Sequence, residues 1–337
     1  MNFTHGGDVQ GFALGVQCEL SEVVDLSSNI NFIQPTLNKD MNSINISSYP
    51  KYDELYTNIA NIYKIKDTQI ELFNGASSAI FSLFRFFDTR CCTIYSPAYL
   101  EYKKAALLFD YDLKLLNRFE DLDKEVSENS LVVFVNPSTP DGNFYDIDTL
   151  LSKWMDKNCT ILIDESFIEF SLQKSCIEYI NKYDKLFVLK SLTKFYSCAG
   201  VRIGSVVSSE ENIKKLKKYE PMWKISEFDM NYINEILKDT TFPKLSKTIN
   251  IENKKYLIEI LEEFKYTHRI FESSANFVLV QLKDINAQEF QELLKPYNIM
   301  IRDCSNFDFL DDSYVRIAVK SMESLDRFQK ALKNICI

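Results

Sequence analysis

Short apolar runs that stop at a polar or small residue recur through the first two-thirds of the chain. Leu186-Phe187-Val188-Leu189, Leu131 to Val135, and Thr160 to Ile163 ahead of Asp164 are too short for helices and rich in β-branched residues, which predicts buried strands. Thr93-Ile94-Tyr95 reads the same way. Helical stretches alternate with them: Tyr49-Pro50 leads into one that reaches about Tyr63, another covers Ala79 to Phe87, and a lysine-rich one covers Glu210 to Tyr219. Near Leu237 to Lys247 the pattern changes, and the remainder reads helix, strand, strand, helix, strand, strand, helix. Residues 1 to about 48 read as irregular, and the chain shows no internal repeat or low-complexity tract.

The strand ends carry the candidate chemistry. Past Leu189 stands Ser191-Leu192-Thr193-Lys194, with Arg202 eight residues after the lysine and Gly204 beyond it. A lysine just past a strand sits where open α/β sheets place ligands. As a nucleophile it needs low dielectric or a cationic neighbour to lose its proton, and Arg202 with the Ser191 hydroxyl would suit a phosphate. The alternative is a surface lysine on a loop between two strands. Asn74-Gly75-Ala76-Ser77 is a glycine turn opening a helix, an anion cradle by its free N–H groups, unless Ser77 is merely an N-cap. Asp164 ends a buried strand, where an unpaired carboxylate would be costly.

Composition narrows the classes. With 337 residues and a net charge of −9, the chain is long enough for a large and a small domain, and its charge argues against a nucleic-acid partner. Lys214-Lys215 and Lys217-Lys218 read as a solvated helix face. The eight cysteines include no Cys-x-x-Cys, and the histidines are His5 and His268, so no metal site is expected. The sequence contains no run of 18 apolar residues and no signal-peptide pattern, so a soluble, cytoplasmic protein without membrane contact is expected.

The string SLTKFYSCAGVRIG resembles the cofactor-lysine segment of the fold type I pyridoxal-phosphate (PLP) enzymes, in the class I/II aminotransferase superfamily. It is most similar to the branch holding threonine-phosphate decarboxylase and histidinol-phosphate aminotransferase. Supporting matches run along the chain: HGGDV and SSNINF near the start, Tyr49-Pro50, Asp164-Glu165-Ser166-Phe167, Pro221-Met222-Trp223, Ser274-Ala275-Asn276-Phe277, Ile301-Arg302-Asp303-Cys304-Ser305-Asn306-Phe307 and Tyr314-Val315-Arg316-Ile317-Ala318. The resemblance implies a large α/β domain with a mostly parallel seven-stranded sheet over residues 49–240. It also implies a small C-terminal α/β domain over 241–337, and an arm over 1–48 that covers the active site and joins the small domain.

It further implies roles. Lys194 would carry the PLP covalently; Gly75, Ala76, Ser77, Ser191 and Arg202 would hold its phosphate. Tyr99 would stack on its ring, and Asp164 would face the ring nitrogen. Thr139 stands where the family has an asparagine that bonds the phenolic oxygen. Tyr49 would reach the phosphate of a neighbouring subunit in a homodimer with shared active sites. His5, Asn31, Arg302 and Arg316 would contact the substrate, with Arg316 gripping its carboxylate; a structural ion pair is the alternative for each arginine. The first expectation is α-decarboxylation of threonine phosphate or serine phosphate, favoured by Phe167, His5-Gly6-Gly7, Trp223 and Cys304-x-Asn306. The second is an aminotransferase acting on a phosphorylated substrate, and the third a PLP-binding protein without turnover.

Overall fold

The computed structural model describes residues 6–336. Strand β1 (Val24–Asp25) lies in the N-terminal segment. The apolar runs form β3 (Cys91–Ser96), β5 (Leu131–Val135), β6 (Thr160–Asp164) and β7 (Leu186–Lys190), and β2 (Ile70–Phe73), β4 (Asp112–Asn117) and β8 (Gly204–Val207) join them. These seven build one sheet in the order β2-β8-β7-β6-β5-β3-β4. It is parallel from β7 to β4, while β8 runs antiparallel to both its neighbours. The central strands are apolar on both faces because both faces are covered; β5, β6 and β7 are buried almost along their whole length. One core cluster gathers Val132, Phe134, Ile161, Ile163 and Val188, and a second gathers Val133, Leu162, Phe187 and Leu189, so alternate residues of each strand face opposite layers.

A second sheet follows the long helix Phe242–Glu262. It holds β9 (Thr267–Ile270), β10 (Phe277–Leu282), β12 (Arg302–Asp303) and β13 (Tyr314–Ala318), in the order β12-β13-β10-β9. The expected single strand near residue 300 is divided. Its first half, β11 (Ile299–Met300), pairs in parallel with β1, and β12 pairs with β13. The N-terminal segment is therefore less irregular than its sequence suggests. It also holds a helix, Val9–Val16, which Asp8 caps by accepting from the Gly11 N–H at 2.9 Å. Among the described residues no helix is long and apolar enough to cross a membrane.

Adjacent residues at the ends of β6 and β7 point to opposite faces. On one side Lys190 and Glu165, both buried, meet at 3.1 Å, and Glu169 lies 3.4 Å from the same amine. Glu165 also accepts from the Cys176 N–H at 2.7 Å and the Ser175 hydroxyl at 2.5 Å. This network clamps the strand ends from which Asp164 and Ser191 project. Replacing Lys190 with methionine leaves a buried carboxylate uncompensated, and is expected to lower unfolding free energy by about 3 kcal/mol in urea titrations. An unchanged midpoint would show that the pair does not clamp the sheet.

Candidate active site

At the carboxyl ends of the parallel strands lies a cavity of about 370 Å³. Ala76, Ser77, Tyr99, Thr139, Asp164, Ser191, Lys194, Arg202, Arg302 and Arg316 all border it, although the first and last of them are more than two hundred residues apart and they come from both sheets. Each is delivered by a local reason. Asp164 is the last residue of β6. Ser191 and Lys194 follow β7, the lysine on the short helix Leu192–Phe195. Arg302 and Arg316 are register partners on β12 and β13.

One end of the cavity is built for an anion. The helix Gly75–Phe86 starts there, and Asn74 makes no side-chain capping bond to its first turn. Gly75 has φ +82°, and a Cβ on it would overlap the Arg202 guanidinium, so the arginine lies directly on the turn. Arg202 donates to the Ala199 carbonyl at 2.9 Å, which fixes its fork. Ser77 and Tyr99 share a hydrogen bond of 3.2 Å, and Ser191 pairs with the Thr193 hydroxyl at 3.1 Å.

Deeper in, Asp164 is buried and accepts from the Ser166 N–H and the Tyr102 hydroxyl, each at 2.8 Å. The Lys194 amine stands 5.0 Å from the centre of the Phe167 ring. Burial pushes that amine below the usual lysine range; Arg316 and Arg202 push the same way, and Asp164 opposes them. A lysine in that setting gives up its proton more readily than an exposed one.

The far wall is cationic. Arg316 donates to the Thr139 hydroxyl at 3.2 Å and to the Ser27 carbonyl at 3.0 Å, and its buried Nε has no hydrogen-bond partner among the described residues. Burial brings its guanidinium down to about 10. Arg302 donates to Asn306 at 2.7 Å and lies 5.5 Å from the centre of the Phe307 ring. Gly6, Gly7 and the segment Ser27–Ile30 close this side, and a Cβ on Gly6 would come within 3.0 Å of Arg302.

Two of the residues named from the sequence stand outside the cavity lining, and a third is not described. Asn31, expected at the substrate, does not border the cavity. Its amide donates to the Phe195 carbonyl at 2.7 Å and the Ser246 hydroxyl at 2.6 Å, and its backbone N–H to the Lys194 carbonyl at 3.0 Å, so it braces the lysine turn. Tyr49 is exposed and stacks on Trp223, with ring centroids 4.1 Å apart. His5 lies outside the described residues. Conversely, sequence reasoning missed Tyr102 and Ser27. The first was detectable, since it follows Tyr99 by one helical turn; the second acts through its backbone carbonyl and leaves no side-chain signal.

The arrangement fits PLP on its own terms. The glycine turn that a Cβ would fill, with Arg202, Ser77 and Ser191, suits the phosphate. Asp164 suits a protonated ring nitrogen, Tyr99 the ring face, and the depressed Lys194 amine the aldehyde.

Comparison with known proteins gives the same direction. The profile of the family described as Aminotransferase class I and II matches residues 21–332. A Caldanaerobacter subterraneus protein named "Putative threonine-phosphate decarboxylase" is 30% identical, over 99% of this chain and 94% of its own. The structure of histidinol-phosphate aminotransferase from Clostridium acetobutylicum superposes with a TM-score of 0.80 at 31% identity, covering 92% of this chain and 98% of that one. The structure of L-threonine-O-3-phosphate decarboxylase from Porphyromonas gingivalis gives 0.80 at 22% identity, covering 93% and 99%.

Two outcomes follow from the site. Gly75→Ala forces Arg202 off the turn and strains a positive φ, so PLP retention on dialysis, read by absorbance, should weaken roughly 10-fold or more. Because the neutral fraction of a depressed amine grows at lower pH than that of an ordinary lysine, re-attachment of PLP to the apoprotein should accelerate with rising pH. It should level off below the usual lysine range near ~10.4; a stopped-flow profile still climbing there would contradict the depressed amine.

Proposed function

Since this chain belongs to the family of class I and II aminotransferases, has their fold type I architecture and uses pyridoxal 5'-phosphate, we propose that it removes the α-carboxylate of a small phosphorylated amino acid. Threonine phosphate and serine phosphate are the candidates, and the product is a phosphorylated amino alcohol. Bound PLP supplies a cationic conjugated ring that accepts the electron pair released when a bond to the substrate's α-carbon breaks. The residues of the chain do the rest. Asp164 keeps positive charge at the ring nitrogen, and Tyr99 fixes the plane of the ring. Arg302 and Arg316 hold the substrate's phosphate and carboxylate, and that grip selects which α-carbon bond stands perpendicular to the plane. The Lys194 amine returns the proton that replaces the lost carboxylate.

One observation carries this reading: Arg316 is buried in the cavity, its hydrogen bonds among the described residues go to neutral acceptors, Thr139 and Ser27, and its guanidinium lies 5.0 Å from the centre of the Phe277 ring. Such a cation is costly until an anion joins it, and a carboxylate matches its fork. Phe167 supports the same choice, placing a hydrocarbon ring beside Lys194 where aminotransferase relatives usually carry a tyrosine. The second reading, transamination of a phosphorylated amine, is favoured by the 31% identity to the histidinol-phosphate aminotransferase of known structure. In either case the site is proposed to be completed by a second copy of the chain, through the exposed Tyr49.

Incubating the PLP-loaded protein with threonine phosphate or serine phosphate should release carbon dioxide while the cofactor spectrum returns to its starting form. Conversion to the amine form of the cofactor without gas would establish the second reading instead. Arg316→Met should raise KM for the phosphorylated amino acid by roughly 100-fold, the size of a lost charged contact.

A further inference from the structure

Asp164 is held by two protein donors, and one of them has no part in the roles given above. The Ser166 N–H donates to Oδ1 and the Tyr102 hydroxyl to Oδ2. Tyr102 is fully buried and does not border the cavity. The helix Leu100–Leu108 fixes its place: Tyr99 is the N-cap residue, with extended backbone, and Tyr102 stands three residues on in the first turn. They meet edge to face, with centroids 6.4 Å apart at 84°. Burial, reinforced by Asp164, keeps the Tyr102 phenol well above the ordinary tyrosine range, so it remains a donor at any working pH.

We propose that Tyr102 is a positioning residue, whose hydroxyl holds the Asp164 carboxylate oriented toward the ring nitrogen of the cofactor while its ring locks the stacking tyrosine to that carboxylate. The proposal is independent of whether the enzyme decarboxylates or transaminates, and it rests on Asp164 facing that nitrogen. Hydrogen bonds to a carboxylate favour its charged form. Without the Tyr102 donor, Oδ2 is left unsatisfied in a buried site, the carboxylate loses its fixed direction, and a bound ring would be less well supported in its positively charged form. A second consequence is geometric: one ring contact and one hydrogen bond connect the group that fixes the cofactor's plane to the group that fixes its charge.

Tyr102→Phe removes one oxygen and no packing atom. Tyr111→Phe is the control, since it also deletes a buried phenol, one that donates to the Phe84 carbonyl at 2.7 Å and not to Asp164. The visible absorption of bound PLP is titrated against pH in the wild type, both variants, Asp164→Asn, and Asp164→Asn combined with Tyr102→Phe. Tyr102→Phe should shift the titration and lower kcat roughly 10-fold at nearly constant KM, as expected for one hydrogen bond to a charged group. Tyr111→Phe should leave the titration in place, and Tyr102→Phe should add no spectral change to Asp164→Asn. The proposal is overturned if Tyr102→Phe titrates like the wild type. It is overturned equally if Tyr111→Phe moves the spectrum as far, or if the full Tyr102 effect survives in the Asp164→Asn background. A wild-type spectrum in Asp164→Asn alone removes the premise that Asp164 faces the ring, and the proposal with it.

Discussion

Charge in the cavity does not cancel from the protein side. Lys194, Arg202, Arg302 and Arg316 border it, and Asp164 is the one carboxylate among its described lining residues. Confining like charges away from bulk water is unfavourable until anions enter, so the folded chain is poised for anionic ligands. The cations are also fixed in advance. Arg202 rests on the glycine turn and the Ala199 carbonyl, and Arg316 on Thr139 and Ser27. Donors held in place gain their electrostatic effect without reorganising when a ligand arrives. The depressed Lys194 amine is a product of the same confinement: burial is the chief cause, Asp164 opposes it, and Arg316 and Arg202 add to it.

The sheet makes this possible by separating functions across its two faces. Asp164 and Glu165 are consecutive, as are Lys190 and Ser191, and the strand period sends each pair to opposite sides. Asp164 and Ser191 border the cavity, while Glu165 and Lys190 neutralise each other behind it. The structural ion pair thus holds the functional residues without adding charge to the cavity. One residue of register slip in either strand would exchange the two sets.

Most of this was legible in the sequence where function is concentrated in a short segment. Ser191, Lys194 and Arg202 lie within twelve residues, and β5, β6 and the core of β7 are apolar runs whose ends the sequence marks clearly. The elements that escaped had mixed signals. The helix Val9–Val16 contains Gly11 and Gly15, poor helix formers, and depends on the Asp8 cap. Strand β4 sits at the sheet edge, and its outward positions are polar or exposed, which dilutes the apolar signature. Asn31 was found by motif, and the structure places it outside the cavity lining, bracing the lysine turn. Its hydrogen bonds to residues 195 and 246 exist only once the chain has folded, and no local pattern announces them.

Arg316 shows why the reaction is harder to read than the fold. The side chain stands on β13 of the small sheet, donates to Thr139 in the loop after β5, and donates to Ser27 in the N-terminal segment, so one guanidinium joins three regions of the chain. That N-terminal segment is in turn tied to the lysine turn, through the Asn31 N–H to the Lys194 carbonyl and the Ser197 hydroxyl to the Asn31 carbonyl. An anion seated on Arg316 is therefore held relative to Lys194 by a closed circuit of contacts. Thr139 supplies one link of that circuit through its hydroxyl. In the proposed reaction, the angle at which Arg316 would present a carboxylate selects the α-carbon bond that breaks. That angle is a property of the assembled circuit and of no single residue in it, so a short motif fixes the fold and the cofactor long before it fixes the bond.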